Sequence, residues 1–436
     1  MKLIQAGSRI FVSRVGQVLA NAAAVLLVAK ILGPEQQGHY SLTMAVSLLL
    51  ASLLAGGVGL AAVPPLRQGT VAAGRLVRAQ FAWIALVLGV LVLLATWTLQ
   101  AGPADFLARH LGWSRGLGFI VLGAVAGILT FEIFSYNLLA RGRLVIGATI
   151  NGVRALGHFG AVGILVLLGA MTFGRAVTLA SLAQIAGSAM LVAVMLRELG
   201  RPGPDLPPCG DGPAADALPA HSLGRLVPAL LRRGWVGQIS AVAYFLLLRL
   251  DQGILEHFRG AAEVGIYSVA VYAGEMLWLL PGALTPLLVH SSATGDRSED
   301  PDRTALQAVR LGILVTLVAG IPLYLVADPL LAFLAGGAYA ESGAALRALL
   351  PGIIAFAPGA VLAGDFIGRG KPHWNTQASL LTVAVNVVAA MWLIPRYGAV
   401  GAGWASSVAY AVGAGVMVGR FMKETGTSFR TLLRGP

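Results

Sequence analysis

The chain alternates between long apolar runs and short breaks that are charged or rich in proline and glycine. A helix needs about 20 apolar residues to cross a bilayer, which is the length of each run. The pattern predicts an all-α polytopic membrane protein with twelve transmembrane helices. We place the spans at roughly 11–32, 40–63, 79–99, 117–140, 144–169, 176–196, 228–255, 263–289, 307–327, 345–367, 375–394 and 398–420.

Composition and charge distribution support this interpretation and orient the chain. Apolar residues make up 57% of the sequence and charged residues 11%, against about 25% charged residues in soluble domains. Of the 31 Lys and Arg residues, 21 fall at the ends and loops on one side of the membrane and seven on the other. The richer side is cytoplasmic by the positive-inside rule, so we expect both termini in the cytoplasm. The net charge of +12 then reflects topology, and no nucleic-acid partner is expected.

The longest polar break divides the chain into two halves. Residues 200–222 are rich in proline and glycine and predict a flexible cytoplasmic linker. On either side we expect a six-helix bundle, one over residues 1–199 and the other over 223–436. Because six is an even number, both bundles start on the same side of the membrane and form a parallel repeat.

Three short matches between the halves support a repeat. They occur at offsets of 226 to 228 residues, and each is a glycine-containing turn or a stripe of small residues. Internal repeats are typical of secondary transporters, whose substrate site lies near the bilayer midplane. The matches are Gly33–Ser41 with Gly260–Ser268, Arg141-Gly142-Arg143 with Arg369-Gly370-Lys371, and Ser181, Ala183 and Gly187 with Ser407, Ala409 and Gly413.

Signals for enzymatic chemistry are weak. The stretch 364–372 is one residue too long for an ATP-binding loop, and Pro372 replaces the Ser or Thr that binds magnesium. The seven histidines show no metal-binding spacing, and the single cysteine, Cys209, excludes an intrachain disulfide. We therefore expect a protein that is not an enzyme, without cofactor or metal site. An integral glycosyltransferase or polymerase stays the weaker alternative, because the outer loops are short.

Arg154 is the most informative charge inside a predicted span. It lies about three turns into the fifth span, and His158 follows four residues later on the same helical face. Glu132 in the fourth span lies at a similar depth. One interpretation is a structural ion pair between Arg154 and Glu132. The other is an arginine that binds the phosphate of a substrate, since the guanidinium fork binds phosphate through two hydrogen bonds.

Other ionisable residues and prolines within the spans are further candidates, because charge is costly in hydrocarbon. Arg14 either reaches the inner surface or binds substrate. Arg249 either pairs locally, reaches the outer interface or binds substrate. Glu275 has no partner of matching depth in the sequence, so it is either protonated or an ion-coupling site. The substrate-binding candidates are Arg154, Arg14, Arg249 and His158, the ion-coupling candidates are Glu275, Glu132 and Asp251, and the hinge candidates are Pro281 and Pro358.

Several motifs resemble a known family. They are Leu32-Gly33-Pro34-Glu35 with Gly38 and Tyr40, the stretch 249–255, and the stretch 262–270. They are similar to those of the O-antigen and polysaccharide flippases, a family of the multidrug/oligosaccharidyl-lipid/polysaccharide exporter superfamily. The C-terminal half departs from the pattern because it contributes few midplane cations beyond Arg249. Lipid II flippases of the superfamily usually carry two further spans, which this sequence does not predict.

The resemblance implies a function and partners. It implies a flippase that moves a pyrophosphate-linked oligosaccharide lipid across the bacterial inner membrane by alternating access, for lipopolysaccharide or other cell-surface polysaccharide biosynthesis. Implied partners are membrane lipids, a coupling proton or sodium ion, glycosyltransferases, and the polymerase and export proteins of the pathway. The alternative within the superfamily is a drug or small-cation antiporter, in which carboxylates would replace arginines in the cavity.

Overall fold

The computed structural model describes residues 2–101, 110–199, 222–279, 281–282, 301–428 and 431. These residues are almost entirely helical and contain no strand, as the all-α prediction requires. The predicted linker lies outside this part of the chain except for Ser222. The helices are α1 Lys2–Ala55, α2 Val58–Ala61, α3 Val63–Gln68, α4 Ala73–Ala101, α5 Arg115–Ala140, α6 Leu144–Leu167, α7 Phe173–Leu199, α8 Leu223–Arg259, α9 Ala261–Glu275, α10 Pro301–Leu325, α11 Ala327–Ala335, α12 Ser342–Gly368 and α13 Pro372–Thr425.

Eight helices in these ranges are long and apolar enough to cross a membrane, which indicates a multi-pass membrane protein. Two of the eight segments exceed 50 residues and cover two predicted spans each. The predicted spans 228–255 and 263–289 fall on α8 and α9, which are not among the eight. Residues 283–289 lie outside the described part.

A glycine joins the two spans within each of the longest helices. Gly33 in α1 has φ 78° and ψ 172°, and Gly398 in α13 has φ 54° and ψ −132°. Side chains disfavour these backbone angles, whereas glycine adopts them without steric cost. The helices are kinked at these two glycines, of which Gly33 begins the predicted break 33–39 and Gly398 directly follows the predicted break 395–397.

The chain packs into two compact units. The first contains residues 1–24 and 43–242, and the second contains residues 25–42 and 243–436. Within the first unit, α5 packs against α7 around an apolar cluster that includes Leu129, Ile133 and Leu191. Within the second, α12 packs against α13, with Val361, Phe366 and Phe421 in a buried apolar cluster.

Two of the matched turns have the same backbone geometry. After α5, Gly142 (φ 66°) lets the Arg143 amide donate to the Leu138 carbonyl over 2.8 Å. After α12, Gly370 (φ 71°) lets the Lys371 amide donate to the Phe366 carbonyl over 2.8 Å. These are six-to-one bonds of a glycine-terminated helix end. The sequence match therefore corresponds to one local structure, used once in each unit.

Candidate functional site

The candidate site in the first unit is a pocket between α6 and α7, and Arg154 is its central charge. Arg154 of α6 donates a hydrogen bond from Nη1 to Oε1 of Gln184 on α7. Its guanidinium carbon lies 5.8 Å from the ring centre of Phe131 on α5. Gln184 is an uncharged partner, so the hydrogen bond holds the guanidinium without neutralising it. Among the described residues Arg154 makes no ion pair.

Three polar residues share one face of α6, and two of them, Arg154 and His158, line this pocket. Asn151, Arg154 and His158 follow one another at intervals of three and four residues, which places them in one stripe. Three of their atoms, Oδ1 of Asn151, Nε of Arg154 and Nε2 of His158, are buried and have no hydrogen-bond partner within the described ranges. A buried polar atom without a partner is costly. The unused atoms therefore mark a place where a polar ligand would be stabilised.

The pocket has a volume of about 360 Å³ and is otherwise apolar. Val153, Leu182 and Met190 lie in its wall, and each exposes at least 43% of its surface. An apolar, open rim next to a partly buried guanidinium suits a molecule with a charged end and an apolar chain. The lining residues are Ile150, Val153, Arg154, Gly157, His158, Ala161, Leu179, Leu182, Ala183, Ala186, Gly187 and Met190.

Glycines on neighbouring helices make room for this arrangement. A Cβ on Gly187 of α7 would lie 2.5 Å from Cδ of Arg154. A Cβ on Gly127 of α5 would lie 2.7 Å from the carbonyl carbon of Gln184. Small residues permit close helix approach in membranes. Gly127 therefore lets α5 approach the backbone at Gln184, and Gly187 leaves space for the stem of Arg154.

One of the two interpretations of Arg154, an ion pair with Glu132, is wrong. Oε1 of Glu132 accepts a hydrogen bond of 3.3 Å from Gln238 of α8, and Gln238 also donates to the Ser52 hydroxyl over 3.1 Å. The physical reason is helical geometry, because neighbouring residues of a helix point about 100° apart. Phe131 faces Arg154, so the next residue, Glu132, faces elsewhere. Two residues at the same depth in the membrane, such as Glu132 and Arg154, therefore need not point toward each other.

In the second unit, Asp251 of α8 is the centre of a buried polar network. Its exposed fraction is 1%. Its carboxylate accepts hydrogen bonds from two hydroxyls, Tyr267 Oη over 2.5 Å and Ser406 Oγ over 2.9 Å. The backbone amide of the next residue, Gln252, also donates to it over 2.8 Å. Asn386 donates to Ser406 over 3.1 Å, while Oδ1 of Asn386 is buried and unused among the described residues. A carboxylate can take up a proton, and carboxylate and amide oxygens are the ligands that small hard cations prefer.

Arg249 and Glu275 form an ion pair, which corrects the prediction that Glu275 has no partner. Two hydrogen bonds of 2.6 and 2.9 Å join the guanidinium to the carboxylate. The guanidinium carbon also lies 5.7 Å from the ring centre of Tyr272. Arg249 is therefore neutralised by a local partner, the alternative that the sequence left open. It does not offer a free charge to a substrate.

The remaining candidates have separate locations. Arg14 is exposed on α1, and both of its expected roles stay predictions. Pro358 is buried within α12, which continues through it to Gly368. Pro281 is buried in the short described segment 281–282. Their roles as hinges remain predictions.

Sequence reasoning missed the uncharged members of both sites. Gln184 carries no charge, so the pattern of charges within spans did not identify it, although a glutamine in the middle of an apolar run is itself a signal. Tyr267, Ser406 and Asn386 are ordinary residues in membrane helices, and only their convergence on Asp251 identifies them.

The fold is similar to that of known transporters over nearly the whole chain. A lipid II flippase MurJ in an inward closed conformation matches with a TM-score of 0.74 and 14% identity, over 97% of this chain and 88% of that one. The Vibrio cholerae MATE transporter VcmN, as a mutant, matches with a TM-score of 0.66 and 15% identity, over 98% of each chain. A MOP superfamily transporter from Pyrococcus furiosus, described as having a binding pocket of reverse polarity, matches with a TM-score of 0.65 and 16% identity, over 98% and 95%. No family model and no curated protein sequence matches the chain.

Proposed function

We propose that the protein is a transporter that flips a lipid-linked oligosaccharide, joined through a pyrophosphate, across the bacterial inner membrane. The observation that carries this proposal is the apolar pocket around Arg154, whose charge no described carboxylate neutralises. The fold similarity to a lipid II flippase supports it. We further propose alternating access as the mechanism, both termini in the cytoplasm, and polysaccharide-synthesising enzymes as partners.

The competing proposal is a drug or small-cation antiporter, which the similarity to MATE transporters supports equally at the level of fold. The two functions require opposite charges at the substrate site. A cationic drug would be repelled by Arg154, whereas a phosphate would gain charge-assisted hydrogen bonds. Charge at the pocket therefore favours the flippase.

The Asp251 network is the proposed coupling site. It combines a buried carboxylate with the unused amide oxygen of Asn386, so a proton or a sodium ion would find oxygen ligands there. Glu275 is a weaker candidate because Arg249 already neutralises it. Glu132 is weaker too, since within the described ranges a single side-chain hydrogen bond, of 3.3 Å from Gln238, holds its carboxylate, against three at Asp251.

Reconstituted vesicles test the function directly. The purified protein is placed in liposomes with a fluorescent polyprenyl-diphosphate disaccharide, and transfer between leaflets is followed with a membrane-impermeant quencher. We expect transfer by the wild type, loss of most of it in Arg154→Ala, and partial retention in Arg154→Lys, because a point charge replaces a planar fork. Equal transfer by wild type and Arg154→Ala would contradict the flippase proposal, as would export of ethidium without lipid transfer.

The same vesicles test coupling. An imposed proton or sodium gradient should accelerate transfer by the wild type, and Asp251→Asn should remove that acceleration while retaining slow transfer. Glu132→Gln is the matched control, because it also neutralises a carboxylate within a span. Gradient dependence that persists in Asp251→Asn would reject this residue as the coupling group.

A further inference from the structure

The hydrogen bond between Arg154 and Gln184 is unusual in its balance of charge. Charged residues within a membrane helix usually pair with one another or with backbone carbonyls, whereas the side-chain partner of Arg154 is an amide. The amide occupies one terminal nitrogen and leaves the positive charge intact. The second observation is that Nε of Arg154 and Nε2 of His158, both residues of the pocket wall, are buried without partners among the described residues.

Resting on the proposed function, we propose that Gln184 determines which ligand charge the α6–α7 pocket accepts, and that the pocket binds a phosphate-bearing amphiphile. The phosphate would occupy the unused nitrogens of Arg154 and His158. The apolar chain would lie against Val153, Leu182 and Met190 at the rim. Gln184 is thus a specificity-determining residue, which acts by leaving Arg154 charged.

A matched helix crossing in the second unit shows that packing alone does not require an arginine here. At the offset of 228 residues, Arg154 corresponds to Thr382 in α13, and at 226 residues Gly187 corresponds to Gly413. The crossings are alike, because a Cβ on Gly413 would collide with the Thr382 hydroxyl as one on Gly187 would collide with Arg154. In the second unit a threonine packs against the glycine at this crossing. The charge in the first unit therefore points to a ligand.

Three probes separate the parts of the ligand. Geranyl diphosphate carries both the charged head and an apolar chain, inorganic pyrophosphate carries only the charge, and geraniol carries only the chain. Binding to the full-length protein in a neutral detergent is measured by calorimetry. We expect geranyl diphosphate to bind at least about tenfold more tightly than either part, roughly the effect of one charge-assisted hydrogen bond. Pyrophosphate binding as tightly as geranyl diphosphate would show a simple anion site and overturn the amphiphile assignment.

Two substitutions at one position test the role of Gln184. Gln184→Glu places a carboxylate beside Arg154 and should weaken geranyl diphosphate binding about tenfold or more. Gln184→Leu has a similar size without charge and should keep binding within about threefold of wild type, since Arg154 remains positive. Equal weakening in both variants, or in neither, would overturn the assignment. In the double variant Arg154→Gln with Gln184→Glu, geranylamine should bind more tightly than geranyl diphosphate.

A pair of glycine variants tests the same site without adding a charge. Gly187→Ala should displace the stem of Arg154 and weaken geranyl diphosphate binding while geraniol binding is unchanged. Gly157→Ala is the matched control, because Gly157 also lines the pocket but no atom lies within 4 Å of the position that an added Cβ would take. If both alanines leave binding unchanged, Arg154 does not form the binding site.

The binding and transport measurements test separate hypotheses, so either hypothesis can be refuted without the other. Lipid transfer by the wild type, with binding indifferent to Gln184→Glu, would refute the role of Gln184 and leave the proposed function standing. Charge-dependent binding in the pocket without lipid transfer in vesicles would refute the flippase and leave the amphiphile site standing.

Discussion

The two arginines Arg249 and Arg154 differ in the side chain that each contacts. Arg249 lies against a carboxylate with two hydrogen bonds, whereas Arg154 lies against an amide. The first arrangement is a complete ion pair, which restrains α8 and α9 relative to each other. The second leaves the charge without a carboxylate partner among the described residues, and Nε of Arg154 has no hydrogen-bond partner there. Two arginines with the same expected role from sequence therefore have different partners in the structure.

The Arg249–Glu275 pair predicts a specific pattern of stability. Arg249→Ala and Glu275→Ala should each lower the free energy of unfolding by about 3 kcal/mol, because each leaves a largely buried charge without its partner. The double variant should be less destabilised than the sum of the two. Thermal unfolding in detergent measures all three variants against wild type. Additive losses would show that the pair contributes no coupling energy.

Among the helices, two matched glycine turns contact each other reciprocally. Gly33 and Gly260 have nearly the same backbone angles, φ 78° and ψ 172° against φ 84° and ψ 174°. A Cβ on Gly38 would collide with the carbonyl oxygen of Ala261, and a Cβ on Gly265 with that of Pro34. Since Gly38 corresponds to Gly265 and Pro34 to Ala261, the contact has the symmetry of a local two-fold axis.

This symmetry predicts that the same glycine-to-alanine substitution at the two matched positions has the same effect on stability. Gly38→Ala and Gly265→Ala should lower thermal stability in detergent by similar amounts, because each added methyl meets backbone that has no side-chain freedom to move away. Gly253→Ala is the control, as this glycine is exposed on α8 with no atom within 4 Å of an added Cβ. It should be neutral or slightly stabilising. A large loss in only one of the two variants at this contact would contradict the two-fold arrangement.

The orientation of the entire chain in the membrane follows from its distribution of positive charge. The charge bias predicts that the segment after α13 is cytoplasmic and that the turn between α6 and α7 is outside. Both segments are available to labelling, because Ser428 and Thr172 are exposed. Cys209, the single native cysteine, is first replaced by serine.

In that background, Thr172→Cys should react with a membrane-impermeant maleimide added to intact cells. Ser428→Cys should react only after the membrane is opened. Gel-shift of the labelled protein measures both. Labelling in the opposite sense would invert the predicted topology and place the termini outside.

Fold class, membrane character and the helix kinks near Gly33 and Gly398 were predictable from the amino-acid sequence alone. These features depend on runs of hydrophobic residues and on glycines such as Gly33 and Gly398, and both are local properties of the chain. Arg154 was identifiable in the same way, since charge within an apolar run is visible without a structure.

The partners of these side chains could not be predicted, because they depend on how the helices rotate and cross. Glu132 and Arg154 share a depth but point to different helices. Gln184 contacts Arg154 where glycines permit close helix approach. Asp251 accepts hydrogen bonds from residues of α9 and α13. Helix rotation and crossing are set by packing between segments distant in the chain, and no local pattern of residues encodes them.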